Sequence, residues 1–351
     1  MTSIAKPPVQ HPSARTNGLG LTLRDYEGAM STLCAGCGHD SVTAALVQAA
    51  WELELPPHMA AKMSGIGCSS KTTGYFMKQS HGFNSVHGRM PSVTSGAAAA
   101  NRSLICIGIS GDGDSLSIGL GQLSHAIRRN VNMLYVLENN GVYGLTKGQF
   151  SASADIGSKS KKGEVNAHPP IDPALLALTL GATFVARSFS GDKKQLVPIL
   201  KAGITHRGFA LIDVISPCVT FNDHEGSTKS YAYTRQHEVE VVAADFVPLR
   251  HEITVTETDA AVNVVQMHDG STVRLRPTDP AYDPTDRASA YAHVRACQKR
   301  GEIATGLLFV DDHGHEMCEG LKLPAEPLVD LPFERLCPGG EALEQLMQRY
   351  R

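Results

Sequence analysis

The pattern of apolar and polar residues between positions 103 and 149 predicts a strand, a helix and a second strand. Residues 103–110 form a short apolar run that ends in a Gly-Asp-Gly turn at 111–113, as is typical of a buried strand. Apolar residues then recur at helical spacing at positions 116, 120, 123 and 127, and a second apolar run at 132–138 ends in Asn-Asn-Gly. Because such a unit joins parallel strands by a right-handed crossover, we expect Asp112 and Asn140 at the same edge of a sheet.

The flanking sequence continues the alternation of strands and helices. A helical pattern begins near Asp40, Asp172 and Pro173 open another helix, and a helix at 192–205 separates strands at 182–189 and 209–216. The fold class we predict is therefore α/β, with a mainly parallel sheet and helices on both faces.

The pattern of apolar and polar residues changes near residue 240. Residues 241–264 alternate and 270–276 form a second hairpin arm, followed by a capped helix at 283–299, a strand within 301–311 and a terminal helix at 339–351. We expect a flexible N-terminal arm (1–27), an α/β domain (28–240) and a C-terminal α+β extension (241–351). A mobile loop is predicted at 150–167, where Lys159, Lys161 and Lys162 favour a solvated face over a docking site.

Composition restricts the classes of protein to consider. The chain has 351 residues, 42% of them hydrophobic and 19% charged, and a net charge of −3, which disfavours a nucleic-acid partner. It contains no apolar run of membrane-spanning length, and its first 20 residues lack the apolar core of a secretory signal. We therefore expect a cytoplasmic protein whose eight cysteines are metal ligands or buried thiols rather than disulfides.

Oxygen ligands at the two predicted strand ends suggest a magnesium site. The Asp112 carboxylate and the Asn140 amide are hard ligands for an ion that also holds phosphates. Gly111 and Gly113 let the backbone approach a diphosphate at the start of a helix. The alternative is that both segments are ordinary turns.

Four cysteines also fall in loops or beyond predicted strands. Cys34 and Cys37 form a C-x-x-C pair, a spacing shared by redox dithiols and zinc sites, while Cys68 and Cys218 follow strand ends. Four thiolates there suit either an iron–sulfur cluster or zinc. Four nearby residues also have ordinary structural explanations. His39 can be a capping or packing histidine, Lys71 a surface lysine, and His87 and Arg89 ordinary loop residues.

The motifs together resemble a known family. The Gly-Asp-Gly turn, 25 residues and then Asn-Asn is similar to the thiamine diphosphate motif. With CAGCGH, GIGCSS, HGR, ENNGVYGLTKGQ and SPC, the chain resembles the β subunit of 2-oxoacid:ferredoxin oxidoreductases, which implies a thiamine-diphosphate-binding fold. The runs HDGSTVRLR and YDPTDR resemble the tail of longer members.

The resemblance implies a role for each matching residue. The [4Fe–4S] cluster would be bound by Cys34, Cys37, Cys68 and Cys218, and magnesium by Asp112, Asn140 and the carbonyl of Val142. Thiamine diphosphate would be lined by Ile66, Gly67, Cys68, Ser69, His87, Gly111, Gly113, Asp114, Gly144 and Leu145. The catalytic candidates are His39, Lys71 and Lys147, the two lysines meeting substrate carboxylates. Leu145 with Lys147 favours 2-oxoglutarate over pyruvate.

The implied reaction is the CoA-dependent oxidative decarboxylation of 2-oxoglutarate to succinyl-CoA and carbon dioxide, with electrons passing through the cluster to ferredoxin. The glutamate that thiamine enzymes use to form the carbanion is expected on an α subunit, in an α2β2 heterotetramer. Three alternatives stay open: a pyruvate or broad-range 2-oxoacid enzyme, a non-redox thiamine enzyme with structural zinc, and a non-catalytic metal-stabilised subunit.

Overall fold

A computed structural model describes residues 13–247, 263–266, 270–277, 279, 281–337 and 339–351. The strands are β1 (Ala60–Ser64), β2 (His81–Asn84), β3 (Ile105–Gly111), β4 (Met133–Asn139), β5 (Val142–Tyr143), β6 (Gln149–Phe150), β7 (Phe184–Phe189), β8 (Phe209–Ile215), β9 (Glu238–Val247), β10 (Asn263–Gln266), β11 (Thr272–Pro277) and β12 (Ile303–Val310). The helices are α1 (Gly38–Glu52), α2 (Met90–Ala100), α3 (Leu120–Arg128), α4 (Pro173–Leu180), α5 (Lys193–Thr205), α6 (Tyr231–His237), α7 (Arg287–Lys299), α8 (Met317–Gly320), α9 (Phe333–Leu336) and α10 (Gly339–Gln348).

Ten of these strands form one sheet in the order β10-β11-β9-β12-β7-β8-β4-β3-β1-β2. From β7 to β2 every neighbouring pair is parallel, including the predicted pair β3 and β4. Helix α1 packs on α5, while α2, α3, α4 and α7 pack in succession, as expected for helices that cover two faces. Each residue of β4 and β8 is buried, since both strands lie at the centre of the sheet. The predicted α/β class is confirmed.

The predicted helix after β3 is interrupted. A wide π-type turn, Gly113–Ile118, comes first, and α3 begins only at Leu120. Gly119 lies between them, and a Cβ there would come within 2.6 Å of the Asp114 carbonyl and 2.8 Å of the Gly88 carbonyl. The leucine spacing is compatible with both kinds of turn, so the break was not visible in the sequence.

The predicted mobile loop at 150–167 begins with a buried stretch. Residue Phe150 belongs to the small hairpin of β5 and β6, and Ser151 and Ser153 are only 6% and 2% exposed. Their hydroxyl groups bond to Asp112, which explains the burial of such polar residues.

The C-terminal extension continues the main sheet. The division predicted at residues 240 and 241 falls inside β9, and β12 lies between β9 and β7. The predicted alternating segment at 241–264 falls largely outside the described residues, as do residues 1–12 of the predicted arm. The described part of that arm contacts the core, since Tyr26 is fully buried and its hydroxyl donates to the Leu55 carbonyl (2.8 Å). Within the described ranges, no helix has the length and apolar character needed to span a membrane.

Candidate functional site

A cleft lies at the carboxyl ends of β1, β3 and β4, where ligands of parallel sheets bind. Its walls come from α1 and from the loops that follow these strands. The lining residues are His39, Ile66, Gly67, Cys68, Ser69, His87, Gly111, Asp112, Gly113, Asp114, Asn140, Val142, Tyr143, Gly144, Leu145 and Thr146. All the residues predicted to contact thiamine diphosphate or magnesium are among them, together with His39. Tyr143 and Thr146 were not predicted.

Asp112 presents its two carboxylate oxygens to different surroundings. Its Oδ2 atom accepts hydrogen bonds from the Gly141 amide (2.8 Å) and from Ser151 Oγ and Ser153 Oγ (2.5 Å each). Among the described residues no donor contacts Oδ1. Burial raises the pKa of the Asp112 carboxyl, and these three hydrogen bonds act in the opposite direction. The geometry therefore holds the carboxylate with one oxygen available to the cleft.

Asn140 is held beside Asp112 by the backbone that follows it. Its Oδ1 accepts from the Val142 amide (3.0 Å), and its carbonyl accepts from Asn222 Nδ2 (2.8 Å). Gly141 adopts a positive φ of 77°, and a Cβ there would lie 2.6 Å from Asn222, so the turn needs glycine.

Asp112, Asn140 and Val142 all line the cleft, and carboxylate, amide and carbonyl oxygens are the kinds of ligand that magnesium prefers. The described chain holds no group of three or more His, Cys, Asp or Glu side chains suited to a metal ion. The predicted magnesium site contains one carboxylate with amide and carbonyl oxygens, so it is not a group of that kind.

Asp114 connects loops on different sides of the cleft by hydrogen bonds. Its carboxylate accepts from the amides of Ile66 (3.2 Å) and Gly88 (2.7 Å) and from Ser110 Oγ (2.5 Å), and it pairs with His87. A Cβ at Gly65 would lie only 1.8 Å from this carboxylate. The Gly-Asp-Gly-Asp segment therefore fixes two further loops.

His39 lies behind Asn140 in a buried polar network. Its Nδ1 is 2.6 Å from Ser216 Oγ and 3.3 Å from Glu138 Oε2, and its Nε2 is 3.5 Å from Asn140 Nδ2. Thr72 Oγ1 donates to Glu138 (3.1 Å). Burial lowers the pKa of His39 to about 4 and raises the pKa of Glu138 well above its usual value. Glu138 and Thr72 were not predicted.

The four predicted cluster cysteines are free thiols, and Cys68 lines the cleft. A Cβ at Gly144 would lie 3.5 Å from Cys68 Sγ and 3.7 Å from Cys218 Sγ, so both sulfurs face the same glycine. Two hydrogen bonds connect the C-x-x-C loop to the segment around Cys218. The Gly38 amide donates to the Pro217 carbonyl (3.2 Å), and Thr220 Oγ1 lies 3.5 Å from Cys34 Sγ.

Burial is the main influence on the acidity of three of these thiols. Burial raises the pKa of Cys37 to about 12 and also raises the pKa values of Cys68 and Cys218. The charge of another thiol of the set contributes to each of these shifts. Within the part of the chain that the structure describes, these thiols do not form a group of three or more side chains arranged to hold a metal ion, so the cluster stays a prediction.

The two predicted substrate lysines lie outside the cleft lining. Lys71 is half-buried, with Nζ 3.5 Å from Thr32 Oγ1. Lys147 is exposed and has a positive φ of 77°, which is unusual for a residue other than glycine.

Comparisons with known proteins agree with this geometry. The profile of the thiamine pyrophosphate enzyme family, C-terminal TPP-binding domain, matches residues 65–214. The 2-oxoacid:ferredoxin oxidoreductase subunit beta of Saccharolobus solfataricus is 42% identical over 208 residues, which are 59% of this chain and 68% of the relative. The 2-oxoglutarate oxidoreductase subunit KorB of Mycobacterium tuberculosis is 36% identical over 262 residues, 71% of this chain and 68% of the relative.

One solved structure is similar over most of both chains. It is a 2-oxoglutarate:ferredoxin oxidoreductase from Magnetococcus marinus with 2-oxoglutarate, coenzyme A and succinyl-CoA bound. The TM-score is 0.69 and the sequence identity 30%, over 86% of this chain and 89% of the other.

Proposed function

Since this chain belongs to the family of 2-oxoacid:ferredoxin oxidoreductase β subunits, we propose that its complex oxidises 2-oxoglutarate with coenzyme A to succinyl-CoA and carbon dioxide. The observation that carries the proposal is the position of Gly144. This glycine lines the cleft beside Asp112 and Asn140 and also faces the sulfurs of Cys68 and Cys218. A coenzyme site and a thiol site thus share one wall.

Thiamine diphosphate and magnesium are the proposed occupants of the cleft. The Asp112 Oδ1 atom, the Asn140 amide oxygen and the Val142 carbonyl would hold magnesium, and the diphosphate would lie against the turn of Gly111 and Gly113, which lines the cleft. When bound, thiamine diphosphate supplies the electron sink for decarboxylation. His39 supports Asn140 from behind, and its burial disfavours a charge on the imidazole.

The thiols of Cys34, Cys37, Cys68 and Cys218 would hold the [4Fe–4S] cluster. When bound, the cluster carries single electrons towards ferredoxin. The short connection through Gly144 suits electron transfer, because the cluster and the coenzyme would lie on either side of one residue that has no side chain.

A dicarboxylate substrate accounts for the two lysines outside the cleft. Lys71 and Lys147 would pair with the carboxylates of 2-oxoglutarate, with Leu145 against its methylene groups. Ion pairing there offsets the cost of desolvating two charges.

An α subunit is proposed to complete the site, in an α2β2 assembly. Large apolar side chains around the cleft are exposed: Ile66 (37%), Val86 (75%), Ile118 (45%) and Leu145 (47%). A partner over this rim would bury them and contribute the missing glutamate. The cytoplasmic location expected from the sequence stays a prediction.

Anaerobic co-production with the α subunit tests the proposal. We expect a brown complex, absorbing near about 400 nm, that reduces ferredoxin with 2-oxoglutarate and CoA and prefers 2-oxoglutarate to pyruvate. The chain alone should bind iron but show no turnover. A colourless zinc protein that decarboxylates without electron transfer would instead support a non-redox thiamine enzyme.

A further inference from the structure

We propose that Tyr75 and Thr32 position Lys71 as a receptor for the carboxylate at the far end of the 2-oxoacid, an inference that rests on the proposed function. The three residues come from two segments separated by about 40 positions, so only the folded chain brings them together. Thr32 precedes the C-x-x-C loop, and Lys71 and Tyr75 belong to the helical turn that follows Cys68.

Tyr75 is the fixed member of the group. Its side chain is buried, with 9% exposure, and its backbone carbonyl accepts from the Gly28 amide (2.8 Å). Its hydroxyl oxygen accepts from the Thr32 amide (3.0 Å) and lies 2.8 Å from Thr32 Oγ1. A buried phenol therefore holds the backbone and the side chain of an exposed threonine.

The hydrogen bonds connect Tyr75 to Lys71 through Thr32. The Tyr75 hydroxyl and Thr32 Oγ1 share a hydrogen bond in which either oxygen can be the donor. The Lys71 ammonium donates to the same Thr32 Oγ1 (3.5 Å). Thr32 thus links the buried phenol to the ammonium, whose other hydrogens stay available. An ammonium held in this way is a charged donor for a carboxylate.

The position of Lys71 indicates which carboxylate it meets. Cys68 and Ser69 line the cleft, whereas Lys71 lies beyond them, with its amide donating to the Cys68 carbonyl (3.1 Å). The reacting carbon must approach the coenzyme within the cleft. Donors outside the cleft therefore face the other end of the substrate, and that end carries a charge only in a dicarboxylate.

The variant Tyr75→Phe, in the complex with the α subunit, tests the positioning. It keeps the buried ring and removes only the hydroxyl. We expect the KM for 2-oxoglutarate to rise about 3- to 10-fold, as for the loss of one ordinary hydrogen bond, with kcat nearly unchanged. The kcat/KM for the monocarboxylate 2-oxobutyrate should not change. The matched control is Tyr26→Phe, which removes another buried hydroxyl, bonded to the Leu55 carbonyl, and should alter neither value.

A double variant separates positioning from general destabilisation. In a Lys71→Met background, Tyr75→Phe should have no further effect on the KM for 2-oxoglutarate, because its target is gone. Additive effects, or an unchanged KM in Tyr75→Phe, would overturn the positioning. Equal losses for both substrates would overturn the assignment to the far carboxylate. A wild-type complex that does not oxidise 2-oxoglutarate would overturn the proposed function itself, and absorbance near about 400 nm reports whether the cluster is intact.

Discussion

At the scale of single residues, the orientation of Asp112 depends on two serines that carry no sequence signal. Asp112 and Asn140 are predictable because each follows an apolar run, at the edge where parallel sheets bind ligands. Ser151 and Ser153 lie in a segment rich in Ser, Gly and Lys, and their role arises only when the chain returns beneath Asp112. Tyr75 and Thr32 were missed for the same reason.

Ser153→Ala should weaken magnesium binding. The change removes one of three donors to Asp112 Oδ2, and loss of such a supporting hydrogen bond costs about 10-fold or more in metal affinity. The measurement is retention of thiamine diphosphate as a function of magnesium concentration, and saturating magnesium should restore it. Ser188→Ala is the control, because that buried hydroxyl donates to Gln195 (2.9 Å) instead. Identical magnesium curves for both variants would contradict the proposed metal site.

Lys62 should make stability depend on pH. Its ammonium is buried and donates to the carbonyls of Thr73 (2.7 Å), Phe76 (2.5 Å) and Met77 (3.0 Å), and burial lowers its pKa to about 8. An unfolded lysine titrates near about 10.4, so between these values the unfolded chain holds a proton that the folded chain has lost. The Lys62 contribution to the unfolding free energy therefore rises from pH 8 to about 10.4, by up to about 3 kcal/mol. Denaturant titrations across this range should show the rise relative to Lys62→Met, and parallel pH curves would count against it.

At the scale of elements, β7, β8 and α4 are joined by a buried ion network. Arg187 Nε donates to Asp213 (2.7 Å) and its Nη2 to Asp172 (2.7 Å), which also caps α4 through the Leu175 amide (2.9 Å). Asp213 in turn accepts from Asn139 (3.1 Å) at the end of β4. The sequence predicted the cap at Asp172 and the strands, but the pairing of charges across strands depends on register and was not visible.

Arg187→Met should destabilise the fold strongly. Removing the guanidinium leaves the buried carboxylate of Asp213 and the partly buried carboxylate of Asp172 without their cation, which costs about 3–5 kcal/mol. Chemical denaturation gives the loss of unfolding free energy. Arg300→Met, which breaks the solvent-exposed pair with Glu302, should cost clearly less. Equal losses would show that burial of the pair does not determine its value.

At the scale of the whole molecule, the sheet extends well beyond the segment that the motifs predict. The strand order places β12 and β9 next to β7, so residues after 240 build onto the same sheet. A change in the pattern of apolar and polar residues indicates a domain boundary. Which strands are neighbours, however, depends on contacts between distant segments. For this reason the fold class and the site edge were predictable, whereas the continuity of the sheet was not.

The apolar rim of the cleft should control assembly with the α subunit. Val86 lies in the loop beside His87 and is 75% exposed, so a partner that covers the cleft would bury it. Val86→Asp places a charge in that contact and should reduce co-purification of the α subunit about 10-fold or more, while the isolated chain keeps its iron. Val329→Asp is the matched control, because Val329 is 88% exposed in the C-terminal segment. Since both changes add the same charge to an exposed valine, solubility effects cancel, and only the location differs. If Val329→Asp weakened assembly as much as Val86→Asp, the partner would have to cover a different face from the one that holds the coenzyme.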